Sequence, residues 1–559
     1  PGLVMNAWIQ LALLSVLVLG IAPFLGRHLW QVFDAQPQPW LDGWLAPVED
    51  RLLRWVGDRG RPSDKAWDYL RPLLISNLFF GALAFLLLLF QPSFLNPLDL
   101  PGMRWDTALH TAISFLTNTD QQHYTPEQTL SDFSQLGALQ FLFFLSAATG
   151  LAAGFAFIRG LCGRPLGNFY SDLIRSITRV LIPLSLGFAV ILLINGAPMT
   201  LGGPLTIPTL EGATQILVRG PVAGFEAIKL LGENGGGFFG ANSAHPFENP
   251  NPFTNLLSMV AMFAIPAATI DAFGRFLGNR RQSTLLLLLV TAIFLVLAVV
   301  AITAEQAGNP LLAPWLSGPN LEGKEVRFGA AMTALFATIT TGSMTGAVNG
   351  AMDSLMPMGG LVPLFNLFLQ VVFGGQGTGV AYLLVFLILT VFLTGLMVGR
   401  TPELFGRKVE KPEVVFSSLI LLIHPVFVLV PAAITIGFPA LSGISNPGFH
   451  GVTQVVYEYA SAAANNGSGF EGLGDGTVWW NLSAIVSLLG GRYLPIVALL
   501  LLAAGFARKP PLPPSPGTLA TDTPLFTVVT AVVIVILGAL TFFPVLALGP
   551  IAEAFSLPR

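Results

Sequence analysis

Long apolar runs alternate with shorter polar connections along this chain. Ten of the runs approach the roughly 20 residues that a helix needs to cross a bilayer. They cover about 5–26, 71–91, 136–158, 180–195 (beginning nearer 171), 253–274, 283–304, 378–399, 413–436, 481–507 and 524–548. The pattern predicts an all-α integral membrane protein with about ten transmembrane helices, and a single membrane domain over 1–559. The first run could pass for a signal peptide, but it is long for one and has no A-x-A cleavage site, so it is read as retained. Residues Pro1 to Val4 precede Met5 and carry no argument.

Composition agrees with the pattern. Of 559 residues, 53% are hydrophobic and 10% charged, against roughly 25% charged in soluble domains. Lysine and arginine gather in alternate connections: seven in 27–71, four in 159–179, three in 275–281, four in 400–411 and two in 508–509, which is 20 of the 27 in the chain. The positive-inside rule then puts these connections in the cytosol and both termini outside. The proline-rich stretch 508–517 reads as a stiff cytosolic linker.

The net charge of −3 says nothing about partners. The lone Cys162 excludes an internal disulfide and a thiolate metal cluster. No G-x-x-x-x-G-K-[ST] phosphate loop is present, and Asp64-Lys65 lacks the threonine and glycine of a phosphorylated pump aspartate. The chain therefore has no catalytic site for using ATP. H-E-x-x-H is absent, and His245 and His424 stand apart from other ligand-type residues.

The connections expected outside carry the chemistry. Residues 228–255, IKLLGENGGGFFGANSAHPFENPNPFTN, lie between two spans yet contain no run able to cross. A short helical lead-in meets Gly232-Glu233-Asn234 and then Gly235 to Gly237. Glycine-rich backbone can turn its carbonyls toward an ion and replace its water shell. Taken alone, the stretch fits an ordinary loop equally well. Three other connections share its form, each ending an Ala-rich run with a short polar or glycine-bearing tetrapeptide. The four are Thr117-Asn118-Thr119-Asp120, Leu231-Gly232-Glu233-Asn234, Thr345-Gly346-Ala347-Val348 and Asn466-Gly467-Ser468-Gly469. Their second residues lie 114, 114 and 121 apart. That period suits a helix–pore half-helix–filter–helix unit repeated four times around one pore.

Two further features stand out. Arg492 is the one basic residue well inside a predicted span, where charge marks a pathway or a pair. It calls for a tertiary partner, with Asp353 one choice, or a place beneath the filter; a pairing with carbonyls is the structural alternative. In the third unit, residues 351–360 (AMDSLMPMGG) disfavour a continuous helix, the apolar run 361–373 is only 13 residues long, and the break GGQGTG follows at 374–379. A broken inner helix is expected there. Its loop, with Asp353, Met356, Gly359 and Gly360, is expected to fold beneath the filter as a gating or coupling element.

At this point the sequence resembles the KdpA family, the potassium-translocating subunits of Kdp P-type ATPase complexes. The match is carried by SFLTNTDQQ (114–122), LGENGGGFFGANSAHPFENP (231–250), EGKEVRFG (322–329), GAVNGAMDS (346–354) and NNGSGFEGL (465–473). GLMVGRTPELFGRKVE (395–410) and LTFFPVLALGP (540–550) extend it from about residue 8 to the C-terminus. The resemblance implies four pseudo-repeats plus one extra helix at each end: an N-terminal helix and cytosolic loop (5–70), repeats at 71–160, 171–275, 283–400 and 413–507, and a linker and final helix at 508–559. It implies potassium as the transported ion, with no organic cofactor, and a bacterial inner membrane. It implies as partners a P-type ATPase catalytic subunit, small accessory membrane subunits and membrane lipid, and no nucleic acid. The ion-binding filter would comprise Thr117, Asn118 and Thr119; Leu231, Gly232, Glu233 and Asn234; Thr345, Gly346 and Ala347; and Asn466, Gly467 and Ser468.

The chain departs from the family pattern at Glu233, where threonine is usual, and at Asp120, where asparagine is. These carboxylates either face an outer vestibule and concentrate cations or cap turns there. Two rival functions share much of the plan: a stand-alone Trk/Ktr-type potassium channel or symporter, and a non-conducting assembly scaffold. The Kdp-type blocks and terminal helices weigh against the first, and four intact filters against the second.

Overall fold

One arrangement of helices occurs four times along the chain: a long apolar helix, a short helix that ends inside the protein, and a second long apolar helix. The structure is a computed structural model that describes residues 2–58, 60–513 and 519–558. Pro1, Arg59, Arg559 and the 514–517 part of the proline-rich linker lie outside the described residues. In the first unit the helices are Ala66–Phe90, Trp105–Leu116 and Asp132–Leu161; in the second, Phe169–Ile194, Val222–Leu231 and Pro252–Leu277. The third has Arg280–Gln306, Gly329–Gly342 and an interrupted helix, Pro357–Leu369 followed by Thr378–Val398. The fourth has Lys411–Gly437, Phe449–Ala464 and Val478–Ala507.

Nine helices of the described residues are long and apolar enough to cross a membrane. Eight belong to the four units and one is the N-terminal Ala7–Phe33. A tenth passes as a pair, Pro524–Gly538 with Leu540–Ser556, bent by 50°. Against the expected ten spans the described residues thus give nine, or ten where the bent pair counts as one. Proline at 544 and 550 and the non-helical backbone of Gly549 (φ −99°, ψ −109°) interrupt its final turns. Two two-stranded antiparallel hairpins, Leu205–Pro208 with Thr214–Leu217 and Glu403–Leu404 with Arg407–Lys408, decorate the connections.

Local signals set the helix ends. Asn168 caps its helix through Ser171 N, Thr477 through Trp480 N, and Asn251 forms a capping box ahead of Pro252. The units close into a ring. The first short helix packs against Ala66–Phe90 of its own unit and Val478–Ala507 of the fourth. The first and second units meet through edge-on packing of Phe143 and Phe225 at 4.8 Å. The N-terminal helix lies along Pro252–Leu277.

Basic residues collect at one face, as the charge pattern predicts. There Arg179 bonds Glu49 at 2.7 Å and Asp42 at 2.6 Å, which ties the helix Pro39–Trp55 to the second unit. Arg159 pairs with Asp172, and Tyr69 donates to the same carboxylate at 2.8 Å.

The interrupted helix of the third unit corrects one expectation. Residues 352–360 do not fold beneath the short-helix ends. Met356 N donates to Glu305 Oε1 at 2.6 Å, at the end of Arg280–Gln306 remote from the basic face. Pro357 occupies the first helical turn, where its missing N–H costs nothing, so it starts a helix instead of breaking one. The break falls later, at 370–377, where Gln370, Phe373, Gly374 and Gly377 all have φ between 56° and 69°. This later loop lies under the short helices: Gly374 N donates to Gly342 O at 2.8 Å and Gln376 Nε2 to Leu231 O at 2.6 Å.

Candidate ion-binding site

All four short helices end the same way. The backbone N–H of Thr119, Asn234, Thr345 and Asn466 donates to the carbonyl five residues back, on Ser114, Lys229, Thr340 and Ser461, at 2.8–3.0 Å. The residue before each donor takes a left-handed conformation: Asn118 (φ 63°), Glu233 (52°), Met344 (56°) and Asn465 (57°). The chain then turns away from the helix axis and runs to the centre of the ring. There the four segments meet. A Cβ built on Gly235 would stand 2.8 Å from Asn466 O and 3.0 Å from Gly467 Cα, with Thr119 O closer still. One on Gly346 would reach 2.9 Å from Gly235 Cα and collide with Asn466 O; one on Gly467 would collide with Thr119 O. Gly346 (φ 85°) and Gly467 (φ 102°) also need the backbone freedom of glycine.

These hydrogen bonds fix the register between units. Gly346 and Gly467 are equivalent, as their place in the tetrapeptides predicts. In the first unit the equivalent residue is Asp120, two beyond Asn118; in the second it is Gly235, three beyond Gly232. Gly232 (φ −84°) caps the short helix, and its carbonyl accepts from Asn118 Nδ2 at 3.2 Å. Leu231 O is held by Gln376 and Glu233 O by Asn118 Nδ2 at 2.5 Å. Thr117 and Thr119 share a hydroxyl bond of 2.9 Å, and Thr345 bonds Ser343 at 2.6 Å. Asn466 Nδ2 donates to Thr340 O at 2.9 Å, Ser468 bonds Tyr457 at 2.8 Å, and Ala347 is buried.

A scaffold of buried polar groups holds the segments from behind, and most of it was not foreseen from sequence. Lys229, wholly buried, sits 2.6 Å from both Glu226 and Glu248 and donates to Asn242 Oδ1 at 2.7 Å. Asn242 Nδ2 donates to Gly236 O at 2.5 Å, and Phe239 N donates to Glu248 at 2.9 Å. The 231–250 block is therefore a glycine loop together with its own support. Arg327 clasps the same block through the carbonyls of Ala244 (2.6 Å), Asn249 (2.7 Å) and Pro250 (3.1 Å). Lys324 bonds Glu305 at 3.0 Å and Ser354 O at 2.6 Å. A lysine inside an apolar short helix was the available signal.

Asp353 is not the partner of Arg492. It binds His450 Nε2 at 2.8 Å and accepts from Asn446 Nδ2 and Gln454 Nε2, on the face remote from the basic one. Gly359 faces Glu305 and Gly360 faces Phe470 in that region, so with Met356 they lie apart from the underside of the converging segments. Arg492, 4% exposed, donates to Ser146 O at 2.9 Å, beside Gly150 and the 370–377 loop. His245 stacks on Phe239 at 3.8 Å, and His424 is buried against Phe542. Asp120 and Glu233 are both fully buried, so neither faces a vestibule.

A second cluster flanks the first and fourth units. His123 bonds Asn481 Oδ1 at 2.8 Å and Glu458 Oε1 at 3.2 Å, and stacks on His110 at 4.0 Å. Burial opposes its charge, but Asp475 and Glu458 outweigh burial and lift its pKa to about 9. Ligand atoms of His123, Glu458 and Asp475 lie within 4.8 Å of one another, close enough to hold a cation. With His123 protonated, however, Glu458 already has its counter-charge.

Chains of known structure and sequence share this arrangement. The fold is similar to that in the crystal structure of the potassium transporter TrkH from Vibrio parahaemolyticus, with a TM-score of 0.53 at 16% identity, over 88% of this chain and 97% of that one. The protein is thus a mostly helical, multi-span membrane protein with that fold. A family model, KdpA, the potassium-transporting ATPase A subunit, matches residues 12–555. The potassium-transporting ATPase potassium-binding subunit of Synechocystis sp. is 60% identical over 99% of this chain and 100% of its own length. That of Alicyclobacillus acidocaldarius is 47% identical over 95% and 96%. The chain belongs to the KdpA family.

Proposed function

We infer that this chain is the potassium-binding subunit of a Kdp potassium-transporting ATPase. It takes potassium from the side opposite the basic face, selects it among the converging segments and delivers it to a P-type ATPase subunit that hydrolyses ATP. The observation that carries the reading is the meeting of four backbone segments, each at the C-terminus of a short helix. Backbone carbonyls there can replace an ion's hydration shell, and each helix C-terminus adds roughly half a negative charge. The filter comprises Thr117 to Asp120, Glu233 to Gly235, Thr345 to Ala347 and Asn466 to Ser468, with Leu231 and Gly232 anchoring the second segment.

The loop 370–377 and Arg492 obstruct the direct way through, which supports lateral transfer to the partner. Small accessory membrane subunits and lipid complete the assembly in a bacterial inner membrane, with both termini outside. The test is purification from native membranes. A phosphorylatable ATPase should co-purify, and its ATP hydrolysis should rise with potassium only when this chain is present. Fast selective flux through the isolated chain in liposomes, with no ATPase attached, would overturn the reading.

A further inference from the structure

Two acids stand in the filter region, and both are fully buried. Neither Oε1 nor Oε2 of Glu233 has a hydrogen-bond partner among the described residues. Asp120 Oδ2 accepts from Gly235 N at 3.1 Å, but its Oδ1 has no partner either. Gln376 Nε2 donates to Leu231 O at 2.6 Å, which brings the 370–377 loop to the short-helix end that carries Glu233. A Cβ built on Gly150 would lie 3.0 Å from Arg492 Nη2 and 3.4 Å from Gln376 Cβ, so Arg492 and Gln376 meet there, next to the short-helix end that Gln376 holds through Leu231 O. Arg492, buried nearby with its guanidinium on Ser146 O, forms no ion pair with either acid among the described residues.

Burial pushes both carboxyls toward the neutral form, so two ionised carboxylates against one guanidinium persist only where a cation supplies the missing charge. A buried carboxylate in that condition is costly unless a cation or a proton neutralises it. Helix C-termini pointing at the same space add to the pull on a cation. A dehydrated monovalent ion leaving the converging carbonyls would meet these free oxygens next.

We propose that the side chains of Glu233, Asp120 and Arg492 form a second site for the transported monovalent cation, at the short-helix end of the filter and of net charge −1. The site rests on the filter reading above and adds to it an ion held by side-chain charge instead of backbone carbonyls. Arg492 limits it to a single ion: without the guanidinium the same oxygens would carry two negative charges.

The test uses the intact ATPase complex, with radioactive rubidium binding at equilibrium and the potassium dependence of ATP hydrolysis. Glu233→Gln should bind about one rubidium ion fewer per complex and need about tenfold more potassium for half-stimulation. Adding Arg492→Gln to Glu233→Gln should restore the lost ion, since Asp120 then stands alone at charge −1. Glutamine mimics a protonated glutamate, so unchanged rubidium binding in Glu233→Gln means a proton fills the role and overturns the proposal. If Glu233→Gln does not assemble, Asp120→Asn removes the same unit of charge, and full rubidium binding there overturns it equally. Gly346→Ala, read by selectivity in the same preparation, tests the filter separately; its failure would leave the charge result standing as measured.

Discussion

Gly346→Ala is the sharpest probe of the converging segments. The added methyl would enter the space of Asn466 O and approach Gly235 Cα at 2.9 Å, and the residue would have to hold φ 85°. The left-handed conformation costs alanine about 1–2 kcal/mol. Ordinary carbon contacts lie at roughly 3.5–4.0 Å, so the fourth segment must retreat by about 1 Å. Functional geometry tolerates about 0.5 Å. The carbonyl of Asn466 therefore leaves its position while the surrounding helices, which the methyl does not touch, stay packed. Half-stimulation of ATP hydrolysis should need at least about tenfold more potassium, and discrimination against sodium should fall, with yield and assembly near normal. Gly187→Ala, where a Cβ meets nothing within 4 Å, is the control. Unchanged affinity and selectivity in Gly346→Ala and Gly235→Ala together would refute the convergence argument.

Three further outcomes follow from the scaffold. Lys229→Met leaves Glu226 and Glu248 buried without their cation and should cost about 3–5 kcal/mol, seen as a lower Tm in detergent; adding Glu248→Gln should recover part of it. His450 lies between Asp353 and Glu553; burial disfavours its charge, but the two carboxylates win and raise its pKa from 6.5 to about 9. Because the folded value is the higher one, this stabilisation is complete below pH 6.5 and is lost as pH rises through about 9; Tm should fall across that window in the wild type and stay flatter in His450→Gln. Removing Gly374 to Gly377 from beneath the filter should turn the isolated chain in liposomes from nearly closed to passively leaky, whereas a tight deletion variant would count against an obstruction there.

Much of this architecture is legible in the sequence, because spans and charge alternation answer to hydropathy and not to tertiary detail. The four short helices with their polar ends are legible for the same reason. The register within each end is not: Asn118 and Gly232 look like counterparts of Gly346, yet the left-handed residue at Asn118, Glu233, Met344 and Asn465 sets the alignment, and four different side chains occupy it. The loop expected beneath the short helices is misplaced for a related cause. AMDSLMPMGG carries more breakers than the following stretch, but Pro357 at a helix start is no breaker, while Gln370 and Phe373 turn the chain without advertising it. Asp120 and Glu233 read as facing an outer vestibule or capping turns; only tertiary placement reveals their burial.

Carrying all four segments on one polypeptide has a further consequence. In an assembly of four identical chains, any substitution at the pore is multiplied by four, and a glutamate beside the ion path would bring four charges at once. Here each quarter can be altered alone. Glu233 has Asn118, Met344 and Asn465 as its counterparts, so the local charge can be tuned one unit at a time. A passive conduit gains little from such lopsidedness. A pump that must hold an ion at a definite place until its partner is ready has a use for it.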